Sequence, residues 1–430
     1  MGVKVTKFGG SSLCDAQQYK KVANILTMDK TRQVVVPSAP GKRSNDDIKV
    51  TDMLLACHGG ASFDGVRQRF MGIVQELGID LDMTSELDIV EENIKAGATI
   101  DYVASRGEFL SGKVLAKLLN WRFVDSADVI KFDENGQLLS EESNRLLAAA
   151  LKEGHAVLPG FFGSNKKGEV VTFSRGGSDI TGALASRAVQ ADVYENWTDV
   201  SGFFMTDPRI VPDAKHMKSI SYRELRELSY MGASVLHEDS VFPVHQAGIP
   251  VNIKNTNDPE AKGTFIVPQD KLEHHGYPIT GVAGKKGFTV IMIEKAKMNN
   301  ELGFARRVLT VMEEHGISIE HMPTGIDTLS IVVSDVHING KLKSVVEGIQ
   351  KAVHPDVLEV YANLALIATV GHGMVKHLGT AAKLFNALSE AKVNIRMIDQ
   401  GSSELNIIVG VEDEDFEKAV EAIYRSFIND

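Results

Sequence analysis

Apolar positions along this chain fall into two alternating patterns. Val3, Val5 and Phe8 follow the two-residue period of a strand and run into Gly9-Gly10, after which Tyr19, Val22, Ala23 and Leu26 share one side of a helix. Val34-Val35-Val36 is a continuous apolar run ended by Pro37-Ser38-Ala39-Pro40-Gly41, as in a buried parallel strand that breaks into a loop. From Thr51 to about Gly97 the spacing is helical. Tyr102 to Leu119 predicts a short turn feeding a helix that starts near Glu108. Val124-Asp125, Ala156 to Leu158 and Val170 to Phe173 predict further strands, each followed by a loop or helix, and Ser221 to Leu228 predicts an amphipathic helix. Ile249 to Thr256 reads as the last strand of the sheet. This alternation predicts a three-layer α/β/α domain with a mostly parallel sheet over 1–270, followed by a linker over 271–286.

The remaining third repeats itself. Leu302-Gly303 recurs as Leu378-Gly379, 76 residues on, and at the same shift Ile291, Val308, Met312, Ile317, Ile319 and Ile331 meet Ile367, Leu384, Leu388, Val393, Ile395 and Ile407. Two copies of one small α+β module are expected, 287–362 and 363–430, each reading strand, glycine turn, helix, strand, strand, helix. The acidic run Glu412 to Glu417 reads as a helix start favoured by the dipole.

Composition removes several function classes. A net charge of −11 argues against broad contact with nucleic acid or anionic membrane. No apolar run approaches the length of a membrane-spanning helix. With only Cys14 and Cys57, far apart, neither a disulfide scaffold nor a thiolate metal site is expected, and a reducing cytoplasm is the simplest compartment. His58, His155, His237 and His274-His275 lack the spacing of a histidine metal site.

In a parallel sheet, ligands bind beyond the carboxyl ends of the strands. Four segments place polar residues there: Lys7 to Ser12, Ser38 to Gly41, Ser174 to Asp179 and Thr198 to Arg209. Lys7-Phe8-Gly9-Gly10-Ser11-Ser12 can form a phosphate seat, because two glycines permit close backbone approach and a helix start offers free N–H groups. Taken alone, those six residues also fit an ordinary glycine turn, and they are not a P-loop, which needs Gly-x-x-x-x-Gly-Lys-Ser/Thr. Ser174-Arg175-Gly176-Gly177-Ser178-Asp179 opens a helix that Ser178 and Asp179 can cap while Arg175 turns inward.

In this order and at these distances the four loops resemble those of aspartate kinases within the amino acid kinase family, and the duplicated third resembles tandem ACT modules, an amino-acid-sensing fold. The resemblance covers essentially the whole chain. It implies transfer of the γ-phosphate of ATP to the β-carboxylate of L-aspartate, with Mg²⁺ carried mainly on the phosphates. It assigns Lys7 to the transferring phosphoryl and the backbone of Gly9, Gly10 and Ser11 to phosphate oxygens. Arg175 would clamp the substrate α-carboxylate and Glu108, in Ser105-Arg106-Gly107-Glu108, would meet its ammonium. Ser38, Thr51, Phe161, Ser178 and Asp179 match further substrate positions. Thr198, Asp199, Phe204, Asp207, Arg209 and Ser234 match the nucleotide site, with Phe204 and Ser234 departing from the tyrosine and lysine common there. For the sensing third it implies an effector turn at Met298, Glu301, Gly303 and Phe304 faced by Glu320, Thr324 and Gly325, and a homodimer or homotetramer joined through the modules. Glu301 and Glu320 would suit a second ammonium, which points to lysine rather than threonine as inhibitor. The same fold also houses glutamate 5-kinase, acetylglutamate kinase and UMP kinase. A catalytically dead amino-acid sensor is the reading from another class.

Overall fold

The computed structural model describes residues 2–232, 236, 238–273 and 276–428; Ser234, His237, His274 and His275 lie outside the described residues. The chain divides into two compact units. The first comprises Met1–Phe203, His216–Leu225 and Val235–Glu273, and the second Phe204–Lys215, Arg226–Ser234 and His274–Asp430.

In the first unit, strands β1 (Lys4–Phe8), β2 (Arg32–Pro37), β3 (Arg122–Phe123) and β4 (Ala156–Val157) form half of a mostly parallel eight-stranded sheet. A separate antiparallel hairpin, β5 (Phe162–Ser164) with β6 (Val170–Thr172), comes next. The sheet then resumes with β7 (Val193–Thr198), β8 (Ser219–Ser221), β9 (Val251–Asn255) and β10 (Thr264–Val267), in the order β3-β4-β2-β1-β7-β9-β10-β8. β1 pairs in parallel with β2 on one side and β7 on the other, so the winding reverses at β1 and a crevice opens beyond its carboxyl end.

Helix Gly177–Ala188 packs on β1, β2 and β7 with Ser140–Leu151 and Phe242–Ala247 beside it, while helix Ile100–Leu119 packs on β2, β3 and β4 beside Ala16–Met28 and Val50–His58. The main core lies between the sheet and the second of these helix layers: Phe8, Tyr19, Phe70 and Trp197 are fully buried in it, and Phe8 stacks on Trp197 at 5.6 Å between centroids. Among the described residues no helix is long and apolar enough to cross a membrane.

The structure corrects four expectations of local structure. Tyr102 to Leu119 holds no turn before Glu108, since one helix runs unbroken from Ile100 to Leu119, capped by the Thr99 hydroxyl. Gly107 lies inside that helix for space: a Cβ there would stand 2.6 Å from the Cβ of Ala39. Val170 to Thr172 belongs to the hairpin rather than the main sheet. The cap of helix Gly177–Ala188 is Gly176, at φ 57°, with no side-chain cap bond. Ile249 to Thr256 is not the last strand, because β10 adds antiparallel to β9 and β8 closes the edge.

In the second unit, β11 (Gly281–Glu294), β12 (Thr328–Ser334), β13 (Val357–Val370), β14 (Met397–Asp399) and β15 (Asn406–Glu412) form one sheet in the order β12-β11-β13-β15-β14. β11 starts inside the stretch expected as linker. The two copies are interleaved: the second half of β11 pairs with the first half of β13, and the first half of β11, from Gly281 to Lys285, pairs with the second half of β13. Helices Phe304–Glu314, Leu342–Val353, Thr380–Glu390 and Phe416–Ile428 bury amphipathic faces, among them Val308, Ile349, Leu384 and Ile423. In the first copy the strand expected after Ile317 is reduced to isolated bridges at His321 and Thr324.

Candidate active site

Lys7 is the next-to-last residue of β1 and is buried. Its Nζ lies 2.6 Å from Oδ1 of Asp179, with the two side chains 11% and 16% exposed. Asn196, at the carboxyl end of β7, donates from Nδ2 to the same Oδ1 at 2.8 Å. Asp179 thus reaches across from the first turn of helix Gly177–Ala188 and holds the lysine in place, a different role from the cap that spacing suggests. Sequence reasoning takes Asn196 only as part of an aromatic and polar loop from Glu195 to Phe204, whereas the structure sets it inside β7. Its signal was an amide inside a strand otherwise suited to burial.

The turn after β1 is held by backbone. The Gly9 amide donates to the carbonyl of Trp197 at 3.0 Å, and the Gly41 amide to the carbonyl of Gly10 at 2.8 Å. Side chains are excluded here, since a Cβ on Gly10 would lie 2.9 Å from the carbonyl oxygen of Ala39. The turn continues as a short 3-10 helix, Gly10–Leu13, and Ser12 bonds Thr256 at 2.7 Å. The loop after β2 lies against this turn, with the Ser38 amide donating to the carbonyl of Phe8 at 3.0 Å.

Glu108 faces the loop from the middle of helix Ile100–Leu119. It is buried, its carboxyl faces the Ala39 amide, and its Oε2 has no partner. Burial pushes its carboxyl up to about 8, against the opposing pull of that amide, Arg106 and Lys7. An unpartnered buried carboxylate oxygen is a costly feature unless a cation arrives to satisfy it. Thr51 is in the first turn of helix Val50–His58, whose Val50 packs on Gly107.

Phe161 adopts φ 80°, a left-handed conformation rare for an aromatic residue. Its amide donates to Thr181 at 3.1 Å, and Gly177 is kept bare by it, since a Cβ there would lie 2.5 Å from its ring. Ser178 crowds Gly160 in the same way. Arg175 is exposed at the mouth of this group. Thr198 donates to Asp199 at 3.1 Å just past β7. Phe204, Asp207 and Arg209 fall in the second unit, where Asp207 pairs with Arg209 at 2.6 Å and is held below the usual carboxylate range by it.

In the expected effector region Met298 and Phe304 are buried and Gly303 takes φ 77°. The Glu301 carboxylate is paired with Lys295 at 2.7 Å and with Arg307, while Glu320 accepts a bond from the Tyr230 hydroxyl. The Gly325 amide donates to the carbonyl of Thr328 at 2.7 Å, and Thr324 bonds the carbonyl of Met322 at 3.2 Å.

Residues 2–255 match the model of the amino acid kinase family, and residues 367–427 match that of the ACT domain. Aspartokinase 3 of Bacillus subtilis (strain 168) is 40% identical over 449 residues, covering 99% of this chain and 98% of its own. The crystal structure of Clostridium acetobutylicum aspartate kinase superposes with a TM-score of 0.93 at 52% identity, over 99% of this chain and 100% of that one. E. coli aspartokinase III, solved in complex with aspartate and ADP, superposes with a TM-score of 0.77 at 26% identity, over 99% of both chains. The same protein in complex with lysine and aspartate gives 0.78 at 27% identity, again over 99% of both chains.

Proposed function

The chain belongs to the amino acid kinase family, among the aspartokinases, and on that premise we propose that its first unit moves the γ-phosphoryl group of ATP to the β-carboxylate of L-aspartate. The observation that carries this reading is the buried Glu108, with its unpartnered oxygen, set beside a glycine turn and the caged Lys7.

The nucleophile needs no general base, because a β-carboxylate with an ordinary pKa of ~3.9 is already ionised at neutral pH. Repulsion between that anion and the triphosphate is the barrier, so catalysis rests on positioning and charge neutralisation. Lys7, aimed by Asp179 and Asn196, places a positive charge on the transferring group. The backbone amides of Gly9, Gly10 and Ser11 receive phosphate oxygens, with Thr198 and Asp199 at the nucleotide side. Glu108 takes the substrate ammonium and Arg175 its α-carboxylate in a two-toothed grip, while Ser38, Thr51, Phe161 and Ser178 shape the pocket. Magnesium is a hard ion that prefers oxygen donors. Asp199 and the Thr198 hydroxyl are of that kind and would hold it, whereas Asp179 is engaged by Lys7 and Asn196; carried mainly on the phosphates, the ion would supply charge neutralisation.

The second unit senses an amino acid that inhibits the first. Lysine is favoured over threonine: its second ammonium can replace the neutral Tyr230 phenol on Glu320, whereas Glu301 already carries two cations. In the same reading the chain assembles into a homodimer or homotetramer through this unit, in which Leu302 and Leu378, at matching points of the two copies, are 95% and 94% exposed.

ADP release with Mg-ATP and a panel of aspartate, glutamate, N-acetylglutamate and UMP tests the reading, each acceptor with and without lysine or threonine. Aspartate-dependent turnover suppressed by lysine is expected. Turnover on another acceptor, or none from a folded sample that still binds an amino acid, would refute the aspartate assignment. Suppression by threonine alone would refute the choice of lysine.

A further inference from the structure

We propose that Arg69 is a positioning residue for this phosphoryl transfer, acting through the loop between Ser38 and Lys49; the inference rests on the reading of the site given above. Arg69 stands on helix Asp64–Leu77 with its side chain only 3% exposed. Its guanidinium ties two distant points of the loop together. Nη1 donates to the carbonyl of Gly41 at 3.0 Å, while Nη2 donates to the Asp47 carboxylate at 2.7 and 2.8 Å and to the carbonyl of Ile48 at 3.3 Å. Arg43 grips the same carboxylate, its Nε donating at 2.9 Å, so Asp47 joins two arginines.

What is tied down is the inner wall of the site. Gly41, whose carbonyl Arg69 holds, donates its own amide to Gly10 in the phosphate turn. Two residues earlier Ala39 lies against helix Ile100–Leu119 at Gly107, the neighbour of Glu108, where an added Cβ would stand 2.6 Å from its own. The phosphate seat and the ammonium acceptor therefore share one loop, and Arg69 is the side chain that fixes it from outside.

An arginine kept here for stability alone is poorly explained. Burying a guanidinium is expensive, and a well-packed apolar side chain of similar volume often serves the fold as well. The fork geometry explains it, since only a planar cation with several donors reaches Gly41 and Asp47 together. A cavity of about 270 Å³, lined in part by Cys14, Asp15, Arg43, Gly65 and Arg69, adjoins this side chain.

The test uses the full chain. R69M and R69A are expected to lower kcat/KM for aspartate about 10- to 100-fold, in line with the cost of misplacing a site by an ångström, and R69K is expected to recover only part. Guanidinium at tens of millimolar should restore part of the activity of R69A, while urea at the same concentration should not. R67M, which removes an arginine of the same helix paired with Asp88 and Glu91, serves as the control and should leave kinetics unchanged. Hydrogen exchange supplies a readout independent of turnover: the Ala39 and Gly41 amides should exchange faster in R69M than in the parent. Unchanged kinetics in a folded R69M would overturn the proposal, as would loss of activity that merely follows loss of folded protein and does not respond to guanidinium. If the parent turns over no aspartate, the functional reading fails, and the exchange at Ala39 and Gly41 still decides the role of Arg69.

Discussion

Glu108 shows at the scale of one residue how burial prepares chemistry. Its carboxyl, raised to about 8, is protonated in the free protein at neutral pH, whereas the substrate ammonium needs the anion. The expected consequence is a kcat/KM for aspartate that climbs with pH and levels off above about 8, and E108Q should abolish that rise; a flat profile for the parent between pH 6 and 9 would contradict the role. Linkage has the opposite sign for stability. A carboxyl whose folded pKa exceeds its ordinary 4.5 binds more protons in the native state across that window, so the stabilisation of the fold from this group is lost as pH rises toward 8. Lys7 and Arg175 divide the remaining work. K7A should lower kcat by orders of magnitude with little loss of fold, although it leaves Asp179 without its cation. R175A, on an exposed side chain, should mainly raise the KM for aspartate. An R175A enzyme in which only the KM for ATP rises would show that this arginine serves the nucleotide.

Elements meet at glycines in this site. Helix Ile100–Leu119 comes close enough to the loop after β2 that Gly107 has no room for a side chain. In G107A the added methyl should push Ala39 away from Glu108, with a destabilisation of about 1–3 kcal/mol from overpacking and a raised KM for aspartate. The KM should rise more than the melting temperature falls would suggest; an unchanged KM in a destabilised G107A would mean that the Ala39 amide does not tune Glu108. The same position explains a misreading of the sequence. A glycine before Glu108 reads as a helix start when only propensity is weighed, because Gly weakens a helix interior. Tertiary closeness overrides that local preference, and the helix runs on.

The whole molecule adds an interleaving that the repeat conceals. Because the first half of β11 pairs with the second half of β13, neither copy of the duplicated third owns a complete sheet. A fragment of 287–362 is therefore expected to be unfolded by circular dichroism, whereas a fragment of 278–428 should melt cooperatively; cooperative melting of the shorter piece would contradict this.

The sequence by itself determined the class of the fold, the glycine turn with its lysine and the duplication, and through the family resemblance it singled out Lys7, Glu108 and Arg175. Those features are local or periodic, and a strand ending in Gly-Gly or a repeat of apolar positions is visible without knowing what lies across from it. Only the tertiary structure decided that Asp179 holds Lys7 rather than caping a helix in the manner spacing suggests, that Asn196 and Arg69 support the site, and that β6 sits in a hairpin. Each of these depends on contacts between residues far apart in the chain, such as Lys7 with Asp179 or Arg69 with Gly41. Hydrophobic periodicity records which face of an element is buried, but it carries no record of which partner a buried polar group will meet.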